Sequence, residues 1–200
     1  MTNVTHNFKE FCDRSGCDSS EVERIWTALK VPQAWLGGGA LRRTLIRQPL
    51  DSDFDWFFYD ADAMKSFVDN AKTKGLKVTK ETKHHTQLEG VLEGSDLPVV
   101  VQAIHFTYGD IQHFIDSFDY TISQFMYDGE YLYTTDYSLW DLGRKKLALN
   151  KVTYPVATMR RMLKYTNQGF TACAGCMADL YKMTVESPTA MGELDIEYID

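Results

Sequence analysis

Acid and aromatic residues alternate in Asp53-Phe54-Asp55-Trp56, and every other residue on to Tyr59 is aromatic. Aromatic side chains suit a pleated, half-buried strand, so residues 54–59 read as a strand despite the acid at 55. A period of two places Asp53 and Asp55 on one face. Two carboxylates on one face repel unless a cation lies between them, and hard oxygen ligands of this kind suit Mg²⁺ or Mn²⁺. The plain alternative for Asp51, Asp53 and Asp55 is a solvated acidic turn.

What precedes the acids points away from that alternative. Ala34-Trp35-Leu36 is short and apolar like a buried strand. Gly37-Gly38-Gly39 follows, and residues 40–47 suit a helix bearing Arg42, Arg43 and Arg47. A glycine turn where a strand becomes a helix lets a polyphosphate approach backbone N–H groups, with arginine adding charge.

Elsewhere the pattern alternates helix and strand. Ser20 and Glu23 read as a capping box for an amphipathic helix running up to Pro32. Asp60 caps a helix over 61–74 that Gly75 closes. Residues 76–80, 86–89 and 98–104 have strand content, the last rich in valine. Asp110 starts a helix through Ile115, Asp128-Gly129 marks a hairpin between 124–127 and 131–133, and residues 139–146 look helical. Pro155 opens a helix on which Met159, Met162, Leu163 and Thr166 share a face, ending at Gly169. A further helix is expected through Met183, and the acidic stretch 186–200 is expected to be loose. The fold class expected is α/β (α+β): one mixed sheet with flanking helices and a short helical C-terminal segment. Residues 1–150 form the main body and 151–200 the helical segment and tail, with the seam near Lys151.

No apolar run is long enough to suggest a membrane span, and no leader pattern is present, so a cytoplasmic protein without a membrane partner is expected. The net charge of −7 argues against unaided gripping of nucleic acid. Cys173 and Cys176 have zinc-like spacing, whereas Cys12 and Cys17 do not; no structural zinc is expected. His84, His85, His105 and His113 are given no role, since metal-assisted phosphoryl transfer needs no histidine. The oligomeric state is not legible.

Four ordered motifs carry a resemblance. Leu36-Gly37-Gly38-Gly39-Ala40-Leu41-Arg42-Arg43 followed by Asp53-Phe54-Asp55 resembles the head-domain signature of class II CCA-adding enzymes and bacterial poly(A) polymerases. Phe118-Asp119-Tyr120-Thr121-Ile122-Ser123 is similar to that family's Arg-Asp-Phe-Thr-Ile-Asn motif. Asp128-Gly129, then Asp141-Leu142 through Lys146-Leu147, resembles its hairpin and Asp-Leu segment. The stretch from Pro155 through Arg160, Arg161, Lys164, Gly169 and Phe170 is similar to its arginine-studded neck helix. Together they span roughly residues 34 to 170.

The resemblance implies a nucleotidyltransferase (polymerase beta-like) head with a helical neck, transferring a nucleoside monophosphate from an NTP to an acceptor hydroxyl. It implies that Gly38, Gly39 and Arg42 hold the triphosphate, that Asp53 and Asp55 bind the metals and carry catalysis, and that Asp119 and Thr121 shape the pocket near the sugar. Arg160 and Lys164 would face the incoming base and phosphates. Phe118 and Ser123 depart from the family's arginine and asparagine, and Gln102 stands on a strand where related folds can supply a third carboxylate. The implied acceptor is an RNA 3′ end, tRNA-like. The alternatives are transfer to a protein or small molecule, as suits a compact member in a phage or toxin setting, and a catalytically silent nucleotide-binding or regulatory module.

Overall fold

The computed structural model describes residues 3–51, 53–93 and 95–186. In chain order these form β1 (Asn3–Asn7), α1 (Phe8–Ser15), α2 (Ser20–Leu29), β2 (Ala34–Gly37), α3 (Gly39–Leu45), β3 (Phe54–Phe58), α4 (Ala61–Thr73), β4 (Lys77–Glu81), β5 (His85–Val91) and β6 (Pro98–Ile104). Then come α5 (Ile111–Ser117), a 3₁₀ turn (Thr121–Ser123), β7 (Met126–Tyr127), β8 (Tyr131–Thr135), α6 (Asp136–Gly143), β9 (Lys146–Leu147), α7 (Pro155–Asn167), β10 (Thr171–Ala172) and α8 (Ala174–Glu186). The acidic stretch expected to be loose lies almost wholly outside the described residues.

Eight strands make one mixed sheet in the order β1-β8-β7-β2-β3-β6-β5-β4. Of its pairings, β3 with β6 is parallel and the others are antiparallel. The alternation read from residues 53–58 holds in space. Phe54, Trp56 and Phe58 enter the main core with Leu36, Val101 and the inner faces of α2 and α4. Phe57 points the other way, into a smaller cluster with Ile104, Phe114, Ile115 and Met126. Thus α5 covers the far end of β3 on the face that also carries Asp55, two residues back. At the free edge, β4 is exposed throughout and carries Lys77 and Lys80, charges that discourage edge pairing.

Local chemistry sets the element ends. Asp60 accepts from the Ala63 N–H at 2.9 Å and Asp110 from the His113 N–H at 2.8 Å, both as anticipated. Three expectations are corrected. The start of α2 is not a Ser20 capping box: the Ser19 hydroxyl bonds the Glu23 carboxylate, and Asp18 accepts from the Ser20 N–H at 3.0 Å. The helix expected over 139–146 begins earlier, because Thr135 accepts from the Ser138 N–H at 3.1 Å, and stops at Gly143, after which Lys145 takes a positive φ of 52°.

The third correction concerns α7. Leu163 is 67% exposed and Met159 37% exposed, so the expected shared apolar face is not the buried one. Pro155, Thr158 and Tyr165 are buried instead. The Tyr165 hydroxyl bonds the Ser123 hydroxyl at 2.9 Å, and its ring receives the Arg42 guanidinium at 4.6 Å. These polar and cation–π contacts set the helix rotation. The C-terminal segment shares the main core through Tyr165, Phe170 and Cys176, and β10 pairs with β9 across the position expected for a seam, near Lys151.

Gly129 in the β7–β8 hairpin has φ 103°, and a Cβ there would sit 2.2 Å from Trp26 Nε1. Trp26 cannot easily retreat, because it stacks on Trp56 with ring centroids 5.0 Å apart. Gly129→Ala is expected to destabilise the protein by about 3 kcal/mol through overpacking and backbone strain, lowering Tm by roughly 6 to 12 °C. Calorimetry checks this; an unchanged Tm would show that the hairpin relaxes freely.

Candidate active site

Asp55 pairs in register with Gly37 on β2 and with Gln102 on β6. It therefore stands near the middle of the sheet, on the face opposite the main core, with Asp53 just before the strand begins. Both carboxylates are half-buried. Burial pushes the Asp55 carboxyl up to about 7, the neighbouring Asp53 charge adds to the rise, and Lys164, Arg161 and Arg42 oppose it. Burial also raises Asp53, against the pull of Lys164 and His85. The pair is thus costly to hold charged, and its nearest cations come from α3 and α7.

Directly above this face the chain turns at Gly38, with φ 70° and ψ −123°, a conformation open to glycine and disfavoured for other residues. Its N–H is already donated to the Phe125 carbonyl at 2.9 Å. What Gly38 offers is the missing side chain, since a Cβ would lie 3.5 Å from Asp55 Oδ2 and 3.8 Å from the Phe118 ring. Gly39 begins α3, whose Arg42 is 3% exposed. Arg42 donates to Gln168 at 3.2 Å and lies over Tyr165, while its Nε is buried with no partner among the described residues.

The remaining predicted residues divide into two groups. Lys164 is exposed on α7 and acts on both carboxylates, and Arg160 is half-buried on the same helix. Asp119 and Thr121 are buried and already engaged: Asp119 accepts from Arg161 at 2.7 Å, and Thr121 donates to Asp141 at 2.7 Å. They brace the wall of the site and join it to α6 and α7. Phe118, at the place of the family's arginine, packs edge-on against Phe57. Asp51 forms an ion pair with Arg43 and stands apart. Tyr165, Gln168 and Gln87 are not singled out by their sequence context, and Asp141 is named there only within the Asp-Leu segment, without a role; of the first three, Tyr165, one helical turn before Gly169 on an otherwise basic helix, carries a visible signal.

Among the described residues, no cluster of three or more histidine, cysteine, aspartate or glutamate side chains could hold a metal ion. Two carboxylates nevertheless fit magnesium, which takes one or two from protein and completes its shell with water and substrate phosphate oxygens. The raised Asp55 carboxyl is the observation that supports this fit, because a cation between the pair removes the repulsion that helps raise it. Cys12, Cys17, Cys173 and Cys176 are all free thiols, with Cys12 pushed to about 12 and Cys176 to about 11 by burial. No helix among the described residues is long and apolar enough to cross a membrane.

Solved structures share this architecture. The Thermotoga maritima CCA-adding enzyme complexed with tRNA superposes with a TM-score of 0.63 at 14% identity, covering 93% of this chain and 47% of that one. A CCA-adding enzyme in complex with ATP gives 0.65 at 16%, covering 98% and 51%. A tRNA nucleotidyltransferase with a primer tRNA and an incoming ATP analogue gives 0.52 at 17%, covering 86% and 54%. This chain spans about half the length of each. At these identities the likeness establishes the fold, that of nucleotidyltransferase heads. No curated protein matches the sequence. Residues 3–145 match the model of the Gabija anti-defense 2 family, Gad2, and the chain belongs to that family.

Proposed function

We propose that this protein is a metal-dependent nucleotidyltransferase that moves a nucleoside monophosphate from an NTP to an acceptor hydroxyl. The observation that carries the reading is the Asp53–Asp55 pair, half-buried at the start of β3 beneath a side-chain-free turn at Gly38 and within the field of Arg42, Arg161 and Lys164. A structural role would leave such a pair at a cost that these cations offset only in part, since both carboxyls stay raised. Magnesium bound there would neutralise charge on the phosphates and on the attacking and leaving oxygens.

The chain's own groups do the rest. Asp53 and Asp55 would hold the metal. Gly38 and Gly39 leave room for the polyphosphate, and Arg42 offers its unpartnered Nε. Lys164 and Arg160 supply positive charge from α7 towards the phosphates and base. Asp119 and Thr121 keep the wall by the sugar fixed. The acceptor hydroxyl gives up its proton to solvent as its oxygen bonds to the α-phosphorus, the bond from that phosphorus to the β-phosphate's bridging oxygen breaks, and pyrophosphate departs with that electron pair. We assign residues 1–150 as the head that carries out this transfer and 151–200 as the neck and tail.

The acceptor we favour is an RNA 3′ hydroxyl, because α7 gathers Arg160, Arg161 and Lys164 within a turn and a half of helix on an otherwise acidic protein. The family name adds a setting, counter-defence against Gabija, in which modifying a nucleic acid or a protein would serve. A second reading has one observation behind it: Phe118 and the Asp119–Arg161 pair close part of the sugar wall, as in a silent nucleotide-binding module. Incubation with Mg²⁺, each α-labelled NTP, total RNA and total protein separates them. Label on RNA is the expected outcome and label on protein would reassign the acceptor, whereas nucleotide binding without label in either pool would move the reading to the silent module.

A further inference from the structure

Asp53 is not held by its neighbours on β3 alone. Gln87 on β5 lies opposite Gln102 on β6, and Gln102 lies beside Asp55, all on the open face of the sheet. A line of hydrogen bonds crosses this face from the edge strand to the site. Thr79 Oγ1 donates to Glu89 Oε1 at 2.8 Å, and Gln87 Nε2 donates to the same oxygen at 2.7 Å. Gln102 Nε2 donates to Gln87 Oε1 at 3.4 Å and also to Asp53 Oδ2.

The direction of this line follows from its far end. A charged carboxylate only accepts, and the Thr79 and Gln87 bonds hold Glu89 below the usual glutamate range, in its charged form. The Gln87 amide must then turn its NH₂ to Glu89 and its carbonyl to Gln102. Facing a carbonyl on one side and Asp53 on the other, Gln102 can satisfy both only with its nitrogen. Amide orientation at Gln102 is therefore settled by a carboxylate on the neighbouring strand, acting through Gln87, as well as by Asp53 itself. A carboxylate at 102 would add a third negative charge to a pair that already repels; the amide brings an N–H donor and no charge.

We propose that Gln102 is a positioning residue for Asp53, fixing Oδ2 so that the other oxygen is presented to the metal, and that Gln87, oriented by Glu89, keeps Gln102 in its donating orientation. This rests on the nucleotidyltransferase reading above. Partners that orient metal ligands are worth roughly 10- to 100-fold in metal affinity, so the expected effect is large for residues that touch neither phosphate nor metal.

The test is Mn²⁺ titration of the full chain with ATP present, read by loss of the free-ion paramagnetic resonance signal. Gln102→Leu and Gln87→Leu are each expected to weaken Mn²⁺ binding about tenfold. Because Gln87 acts through Gln102, the double variant is expected to bind no more weakly than Gln102→Leu alone. A general loss of stability would not produce that pattern. Should Gln102→Leu fail to fold, Gln87→Leu decides alone, since Gln87 contacts neither aspartate. Wild-type affinity in Gln87→Leu, or losses that multiply in the double variant, would overturn the relay and leave the wild-type site standing. No Mn²⁺ binding by the wild type with ATP would sink the nucleotidyltransferase reading and the relay together.

Discussion

Asparagine at position 55 is expected to give a protein that is more stable at pH 8 than the wild type and has lost at least ~10³-fold in nucleotidyl transfer. The activity loss follows from removing one of two metal-holding carboxylates, because metal stabilisation of a transferring phosphoryl group is worth several kcal/mol and each 1.4 kcal/mol is about tenfold in rate. The stability gain follows from linkage. In the folded protein the Asp55 carboxyl is raised from 3.8 to about 7. Below about pH 4 it is protonated in both folded and unfolded chains, and its favourable contribution is complete. As pH rises from there through 7 that contribution is progressively lost, because the unfolded chain gives up the proton freely while the folded state must keep it or hold a charge that burial and Asp53 disfavour. The difference is on the order of 3 kcal/mol. Urea denaturation in chelator at pH 5 and pH 8 checks it: the wild type should weaken between the two, Asp55→Asn should change less, and Mg²⁺ with ATP should stabilise the wild type only. Parallel pH profiles would mean that Asp55 is not held at a cost.

The second large effect lies on the other side of the same strand. Trp56 is fully buried between Asp55 and Phe57, stacked on Trp26 and tilted against Phe67 with centroids 4.7 Å apart. Its indole N–H has no hydrogen-bond partner among the described residues, so truncation forfeits packing and no polar bond. Trp56→Ala is expected to cost about 4 kcal/mol and to lower Tm by roughly 8 to 16 °C. That is a large share of the 5–15 kcal/mol typical of a whole domain. Because β3 carries the acids on its opposite face, metal-dependent nucleotide binding should weaken in the same variant even where it remains folded. A midpoint shift below about 4 °C in calorimetry would show that the neighbouring rings close the cavity.

Much of this is legible in the sequence, and the reason differs from place to place. The strand at β3 was legible because alternation and aromatic content agree, and α4 and α5 because Asp60 and Asp110 cap through a contact three residues away. The start of α2 was misplaced because Ser19 and Ser20 are adjacent and both suit a cap; only the Asp18 contact decides between them. The rotation of α7 was misread because counting apolar residues ignores what a tyrosine gains from Ser123 and Arg42, residues more than forty positions away. β1 and α1 passed unnoticed, since Asn3–Asn7 holds a single aliphatic residue, Val4, and pairs only with a distant partner. The Gln87–Gln102 line was out of reach for the same cause, as it depends on the register between β5 and β6, which no local pattern specifies.

β1 has a further consequence, for how the chain is made. It is early in the sequence but completes one edge of the sheet by pairing Asn3 with Thr135 and Asn7 with Tyr131 on β8. A ribosome adding about 5 to 20 residues per second leaves that first strand without its partner for roughly ten seconds, while Phe8 waits for the core that will enclose it. Non-local closure of this sort slows folding, so β1 and the Phe8 side chain stay without their native partners until the hairpin of β7 and β8 emerges.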